Sequence, residues 1–155
     1  MVLCHRFEGP FRIMSTIVIM NAQFLYDTHI HTIEVSPCGK IHAAETVDAY
    51  AAQGYAGLVI TDHFHNQFLE IADTEHNWDL VIDRYMAGYR AAKKRGDEIG
   101  FNVIFGSEMR FTDNDNDYLV YGIDEAWLRE RRITVQHGTS CCFTLCRNYE
   151  YQFVN

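Results

Sequence analysis

Two histidines separated by one residue follow an apolar segment near the start of the chain. His29 and His31 come shortly after Phe24-Leu25-Tyr26, a run that is typical of a β-strand. Side chains two positions apart on a strand point to the same face of the sheet. Two neutral imidazoles side by side are common ligands of first-row divalent metals. The pair therefore predicts a metal site at the end of a strand.

Two further apolar runs end in side chains that can bind a metal. Asp62 and His63 come just after Gly57-Leu58-Val59-Ile60, and Glu108 follows Val103-Ile104-Phe105. A carboxylate can bridge two cations and reduce their mutual repulsion, which suits Glu108 for a site with more than one ion. Asp62 is expected to orient a ligand histidine through a hydrogen bond. The predicted metal ligands are His29, His31, His63 and Glu108.

The segments that position these residues alternate between strand and helix patterns. After the first strand, the sequence predicts a helix over 42–53, a strand over 56–61, a helix from Asn77 to Arg95 ended by Gly96, strands over 101–107 and 118–122, and a helix over 124–131. Such alternation indicates right-handed βαβ units and a parallel sheet. The candidate ligands then meet at the carboxyl ends of the strands, where β/α folds place their sites.

The order and spacing of the motifs resemble those of the PHP family, the polymerase and histidinol phosphatase domain of metal-dependent phosphoesterases. The three motifs are His-x-His-Thr at 29–32, Thr-Asp-His at 61–63 and Gly-x-Glu at 106–108. Segments 34–39 and 116–122 resemble one bacterial branch of that family. The resemblance covers about residues 26–131. It implies an α/β fold, the N-terminal part of a TIM-like (β/α) barrel of PHP type, incomplete in this chain.

The sequence divides into three parts under this interpretation. Residues 1–20 are an N-terminal extension, 21–131 a partial PHP domain, and 132–155 an atypical tail without strand or helix periodicity. A shifted reading frame or a truncated gene would produce such a tail. A half-barrel would leave a sheet edge open, so we expect self-association through that edge.

The resemblance also implies the chemistry. It implies hydrolysis of a small phosphate monoester by a water activated on zinc, manganese or iron. Arg110 lies two residues after Glu108 and is expected to bind a phosphate oxygen, with a surface salt bridge as the alternative. Many relatives carry a further histidine in the loop after the first motif. Here that loop offers Glu34 or Cys38 as a replacement ligand.

Two other functions remain open on the sequence. One is a non-catalytic remnant of a PHP domain that binds metal or a partner. The other is a metal-dependent hydrolase of amidohydrolase type, which shares a His-x-His at a strand end but normally needs a lysine or further histidines on later strands.

Composition restricts the partners and the compartment. The 155 residues are 48% hydrophobic and carry a formal charge of −8, with a pI of about 5.4. This balance argues against nucleic-acid binding, which needs a basic surface. Five cysteines, an odd number, indicate a reducing compartment, so we expect a cytoplasmic protein. No apolar run approaches the length of a membrane span, so no membrane partner is expected.

Overall fold

Short apolar runs form the strands, and helices lie between most of them. The computed structural model describes residues 24–73, 75–111, 113, 115–130 and 152–154. The strands are β1 (Tyr26–Ile30), β2 (Gly57–Ile60), β3 (His63–Phe64), β4 (Asn102–Arg110), β5 (Asp117–Tyr121) and β6 (Gln152–Val154). The helices are α1 (Ala43–Ala52), α2 (Asn66–Ala72), α3 (Trp78–Tyr85), α4 (Ala87–Ile99) and α5 (Glu125–Glu130).

The strands form one curled sheet in the order β1-β2-β4-β5-β6, with β3 paired to the end of β4. Strands β1, β2 and β4 are parallel, which confirms the predicted βαβ arrangement. Strand β5 returns antiparallel to β4, and β6 is antiparallel to β5. The described residues therefore form a curled half-barrel, as expected for an incomplete TIM-like barrel.

The long helix predicted from Asn77 to Arg95 is two helices. Asn77 caps the first, because its side chain accepts hydrogen bonds from the backbone of Asp79 and Leu80. The helical path is interrupted at Met86, and α4 then continues to Ile99. The prediction that Gly96 ends the helix is wrong.

A close backbone contact explains the misassigned glycine. Gly96 is buried within α4, where a Cβ atom would lie 2.7 Å from the carbonyl oxygen of Phe101. The helix instead ends at Gly100, whose φ of 72° is the left-handed conformation that glycine adopts at little cost. The two glycines serve packing and termination respectively.

The segment that begins at His63 contains regular structure, although the sequence predicts neither a strand nor a helix between 61 and Asn77. It holds the two-residue strand β3 and the helix α2. A strand of two residues is too short to show a period of two, so the sequence pattern could not reveal it. The backbone pairing of β3 with β4 is what places His63 opposite Glu108.

Buried apolar side chains lie between the sheet and its helices. One cluster joins α1 and α4 to β1 and β2, with Val47, Leu58 and Ala92 fully buried. A second cluster joins α3 and α5 to β4 and β5 around Tyr85 and Met109. These clusters hold the strands in register, so the ends of β1, β3 and β4 lie together. Within the described part of the chain, none of the helices has the length and apolarity needed to cross a membrane.

Candidate metal centre

The end of β1 presents the two histidines of the first motif side by side. The backbone N–H of His29 donates to Asp27 Oδ1 at 3.0 Å, which fixes the strand end. Beyond it, the Nε2 atoms of His29 and His31 lie 2.9 Å apart. The prediction that alternate positions on the strand bring these rings together is consistent with this geometry.

Glu108 lies at the centre of the predicted ligand set. Its carboxylate oxygens are 3.4 Å from Nε2 of His29, 3.0 Å from Nε2 of His31 and 2.8 Å from Nδ1 of His63. The Glu108 side chain is only 8% exposed. The structure thus brings together all four residues that the sequence predicts as ligands, from three different strand ends.

The charges of these groups are strongly coupled. The Glu108 carboxylate raises the pKa of His31 to about 9, although burial of the ring favours its neutral form. It raises the pKa of His63 in the same way. Burial alone would raise the pKa of Glu108, but the imidazoles of His31 and His63 hold it well below its usual range. The buried carboxylate and the rings of His31 and His63 therefore stabilise each other's charged forms.

The donor set fits a divalent cation. Glu108 Oε2 and His63 Nδ1 are buried and only 2.8 Å apart, yet neither has a hydrogen-bond partner among the described residues. The two atoms are in close contact without the geometry of a hydrogen bond. Buried polar atoms left unpaired are costly, and a metal bound between carboxylate and imidazole would satisfy both. Imidazole and carboxylate ligands suit zinc, manganese and iron alike.

Cys38 joins this cluster from the loop after β1. Its sulfur lies 2.8 Å from Nδ1 of His31 and 3.3 Å from Nε2 of His63. Burial opposes ionisation of the thiol, but the two imidazoles lower the pKa of Cys38 below its usual value. Donor atoms that can share an ion are found in two groups among the described residues: His31 with Cys38 and His63, and His29 with His31 and Glu108.

Asp62 has a different role from the predicted one. It is buried, and its carboxylate accepts hydrogen bonds from the backbone and hydroxyl of Thr32 and from the Ser36 hydroxyl, each at 2.7 Å. No histidine is among its hydrogen-bond partners in the described residues, so the prediction that it orients a ligand histidine directly is wrong. Ser36 Oγ also accepts from the backbone N–H of His63 at 2.9 Å. Asp62 therefore fastens the loop to the strand end.

Two residues behind Asp62 were missed by sequence reasoning. The buried Tyr85 hydroxyl donates to the Asp62 carbonyl oxygen at 2.6 Å and lies 2.7 Å from Ser107 Oγ. Gly88 passes so close that a Cβ atom would lie 2.1 Å from Thr32 Oγ1 and 2.8 Å from Asp62 Oδ2. Neither residue carries a recognisable local motif, because their contacts come from a distant part of the chain.

Glu34, the other candidate replacement ligand, faces away from the cluster toward α1. Both of its carboxylate oxygens accept from the Ala43 backbone N–H, at 3.1 and 3.2 Å. One oxygen also lies 3.1 Å from Nδ1 of His42, the N-cap residue of α1. Glu34 thus satisfies the helix N-terminus, and of the two candidates only Cys38 is near the histidines.

Arg110 lies at the edge of the site and already has a carboxylate partner. Its guanidinium donates to both oxygens of Asp117, at 2.7 and 2.5 Å. It also lines a cavity of about 220 Å³ together with His65 and Gln67. The His65 ring, 4.9 Å from that of His63, accepts from the Phe68 backbone N–H and caps α2. The predicted contact of Arg110 with phosphate remains a prediction.

Comparison with known protein families agrees with the geometry of the candidate metal centre. The chain matches the PHP domain over residues 27–155. It belongs to the PHP domain family. The match includes residues 132–155, which the sequence analysis assigned to an atypical tail, and nearly all of that tail lies outside the described residues. No curated protein matches the chain.

A solved PHP-like structure shares the fold. A two-domain protein from Bacteroides vulgatus containing a predicted PHP-like metal-dependent phosphoesterase superposes with a TM-score of 0.57 at 13% identity, over 83% of this chain. A candidate metal-dependent phosphoesterase from Bifidobacterium adolescentis gives 24% identity over 65% of this chain, with a TM-score of 0.45. The PHP chain covers only 33% and 28% of those two structures, respectively.

Proposed function

We propose that this PHP domain contributes to a phosphoesterase that hydrolyses small phosphate monoesters with a metal-activated water. One observation carries the proposal. The buried Glu108 carboxylate lies within 3.4 Å of a ring nitrogen of His29, and closer still to His31 and His63. Such a group of neutral or anionic donors at the end of parallel strands fits a divalent cation centre.

The four predicted ligands have separate tasks in this proposal. His29 and His31 would hold an ion from the end of β1, and His63 from β3. Glu108 would bind beside these rings and offset the charge of a bound cation. Bound zinc, manganese or iron would supply an activated water and stabilise the charge that develops on the phosphoryl oxygens. The odd number of cysteines supports a reducing, cytoplasmic setting for this chemistry.

Arg110 is the proposed contact for the substrate phosphate. Its pair with Asp117 is half-exposed, so water already weakens it and an incoming dianion can compete for the guanidinium. The adjoining cavity is lined by polar side chains, including Asn66 and Gln67, and by the apolar ring of Phe111. A leaving group that enters this cavity would meet both hydrogen-bonding side chains and an apolar ring.

A non-catalytic metal-binding remnant is the second candidate. It rests on the two groups of donor atoms near His31, which can hold an ion whether or not turnover follows. The family match supports phosphate esters over the amide substrates of an amidohydrolase.

The first test is metal-dependent cleavage of p-nitrophenyl phosphate. The purified full chain is stripped with a chelator, loaded in turn with zinc, manganese or iron, and compared with Glu108→Gln. We expect the variant to lose at least about a hundredfold in kcat/KM, because it removes the buried carboxylate at the centre of the ligand set. Glu34→Gln is the matched control, since Glu34 caps α1 and should leave turnover unchanged.

The outcomes separate the two candidates. Turnover that needs added metal and disappears in Glu108→Gln supports the phosphoesterase. Stoichiometric metal binding without turnover in the wild-type chain supports the non-catalytic remnant. Equal turnover in the wild-type and Glu108→Gln proteins would overturn the proposal, since it would place the activity outside this site.

A further inference from the structure

The thiol of Cys38 and the carboxylate of Glu108 lie on opposite sides of the same two imidazole rings. His31 directs Nδ1 toward the sulfur, at 2.8 Å, and Nε2 toward the carboxylate, at 3.0 Å. His63 directs Nε2 toward the sulfur, at 3.3 Å, and Nδ1 toward the carboxylate, at 2.8 Å. A cation can therefore meet these rings on a carboxylate side or on a thiol side.

The position of the thiol is fixed by a buried network. The loop that carries Cys38 is held at Thr32 and Ser36 by the Asp62 carboxylate. The chain then packs so tightly that a Cβ atom at Gly39 would lie 2.4 Å from the Thr32 carbonyl carbon. Cys38 thus lies between two tightly held residues while its own side chain stays accessible. Such preorganisation suits a ligand better than an incidental surface cysteine.

The chemistry of the two sides differs. Imidazole and carboxylate donors accept zinc, manganese and iron, whereas a thiolate favours softer ions such as zinc and discriminates against manganese. A sulfur and an imidazole nitrogen on one tetrahedral zinc are separated by about 3.6 Å. The distance from Cys38 to His63 is close to this value, and the shorter one to His31 would need to open by less than about 1 Å.

We propose that Cys38 is a metal ligand, and that with His31 and His63 it forms a soft, zinc-selective position within the centre. The inference rests on the proposed metal centre but not on its turnover. It assigns to Cys38 the direct binding of an ion, as opposed to a hydrogen bond that merely orients the ligand imidazoles.

Cobalt spectroscopy distinguishes these two roles. Co²⁺ replaces zinc in mixed imidazole and thiolate sites, and a Co–S bond produces a charge-transfer band in the near ultraviolet. The full chain is prepared with the other cysteines replaced by serine, at Cys4, Cys141, Cys142 and Cys146, so that Cys38 is the sole source of the band. The comparison is Cys38→Ser in that background. If circular dichroism shows that this background folds poorly, the difference spectrum is measured instead between the wild-type chain and its Cys38→Ser variant.

Affinity provides a second, independent readout. We expect Cys38→Ser to lose the near-ultraviolet band and to weaken zinc binding by at least about tenfold, with a smaller change for manganese. Glu34→Gln is again the control, because it should keep both the band and the affinity.

The spectroscopic test of Cys38 and the activity test of Glu108 are independent, so the failure of one proposal can be distinguished from the failure of the other. A band that depends on Cys38 in a chain without phosphatase activity supports the proposed metal position and contradicts the proposed phosphoesterase function. Activity that depends on Glu108, with identical cobalt spectra in the wild-type and Cys38→Ser proteins, overturns the role of Cys38 as a ligand. Equal losses of zinc and manganese affinity without a band would also overturn it, because a hydrogen-bonding role explains them.

Discussion

At the scale of single residues, Glu108 determines the electrostatics of the site. It is a carboxylate buried against three histidines, and its pKa is held low by the same interactions that raise the pKa values of His31 and His63. A bound cation would take the place of the protons on these rings. The site is therefore expected to exchange protons for metal, and metal binding should release protons near neutral pH.

This coupling predicts how the stability of the metal-free protein depends on pH. The pKa of His31 is about 9 in the folded protein against 6.5 for a free imidazole, so its protonation stabilises the fold. That contribution is complete below pH 6.5 and is lost as the pH rises through about 9. The thermal midpoint measured in chelator should fall over this window. With saturating zinc it should not fall, since metal and protons compete for the ring.

Glu108→Gln tests the cause of that pH dependence. Glutamine is similar in shape but carries no charge, so the pKa of His31 should return toward its ordinary value. The fall in the thermal midpoint between pH 6.5 and 9 should then become shallower. The same slope in the variant as in the wild-type protein would show that other groups cause the pH dependence.

At the scale of elements, the sequence predicted what is set by local pattern. Apolar runs followed by His, Asp or Glu identified β1, β2 and β4 and the four residues that now lie together. The choice between Cys38 and Glu34 could not be made, because the path of their loop depends on hydrogen bonds to Asp62, about thirty positions away. The break at Met86 was equally hidden, because no glycine or proline marks it; nearby Gly88 packs against Thr32 and Asp62, which are distant in sequence.

Gly88 gives a prediction at this scale. Gly88→Ala would place a methyl group 2.1 Å from Thr32 Oγ1, so α4 or the loop must move. We expect a loss of about 1–3 kcal/mol in the free energy of unfolding. Zinc affinity should also fall by about tenfold, because the loop carrying Cys38 shifts. Chemical denaturation and zinc titration measure the two effects.

Gly54→Ala is the matched control for this variant. Gly54 has a φ of 83° but open space around its Cα, so alanine there meets backbone strain without a clash. It should cost about 1 kcal/mol of stability and leave zinc affinity unchanged. If both variants changed zinc affinity equally, the effect would reflect general destabilisation rather than displacement of the loop.

At the scale of the whole molecule, the half-barrel leaves a sheet edge available. Among the described residues β1 pairs only with β2, and the chain just before it exposes Phe24 and Leu25, at 78% and 51%. A strand with one free edge beside exposed apolar side chains is a surface on which a second chain can add a strand. We therefore predict self-association that depends on protein concentration.

Lysine substitutions at this edge provide the test. Phe24→Lys with Leu25→Lys places charge beside β1, a common way in which natural proteins protect an open edge. Sedimentation velocity should show the wild-type chain above its monomer mass of 18.0 kDa and the variant close to it.

Ile71→Lys is the control, because Ile71 is comparably exposed, at 67%, but lies on α2. Loss of association in the control as well would point to general apolar contacts, and a monomeric wild-type chain would contradict the prediction. Zinc affinity should be the same in all three proteins, because none of the substituted residues is a proposed metal ligand.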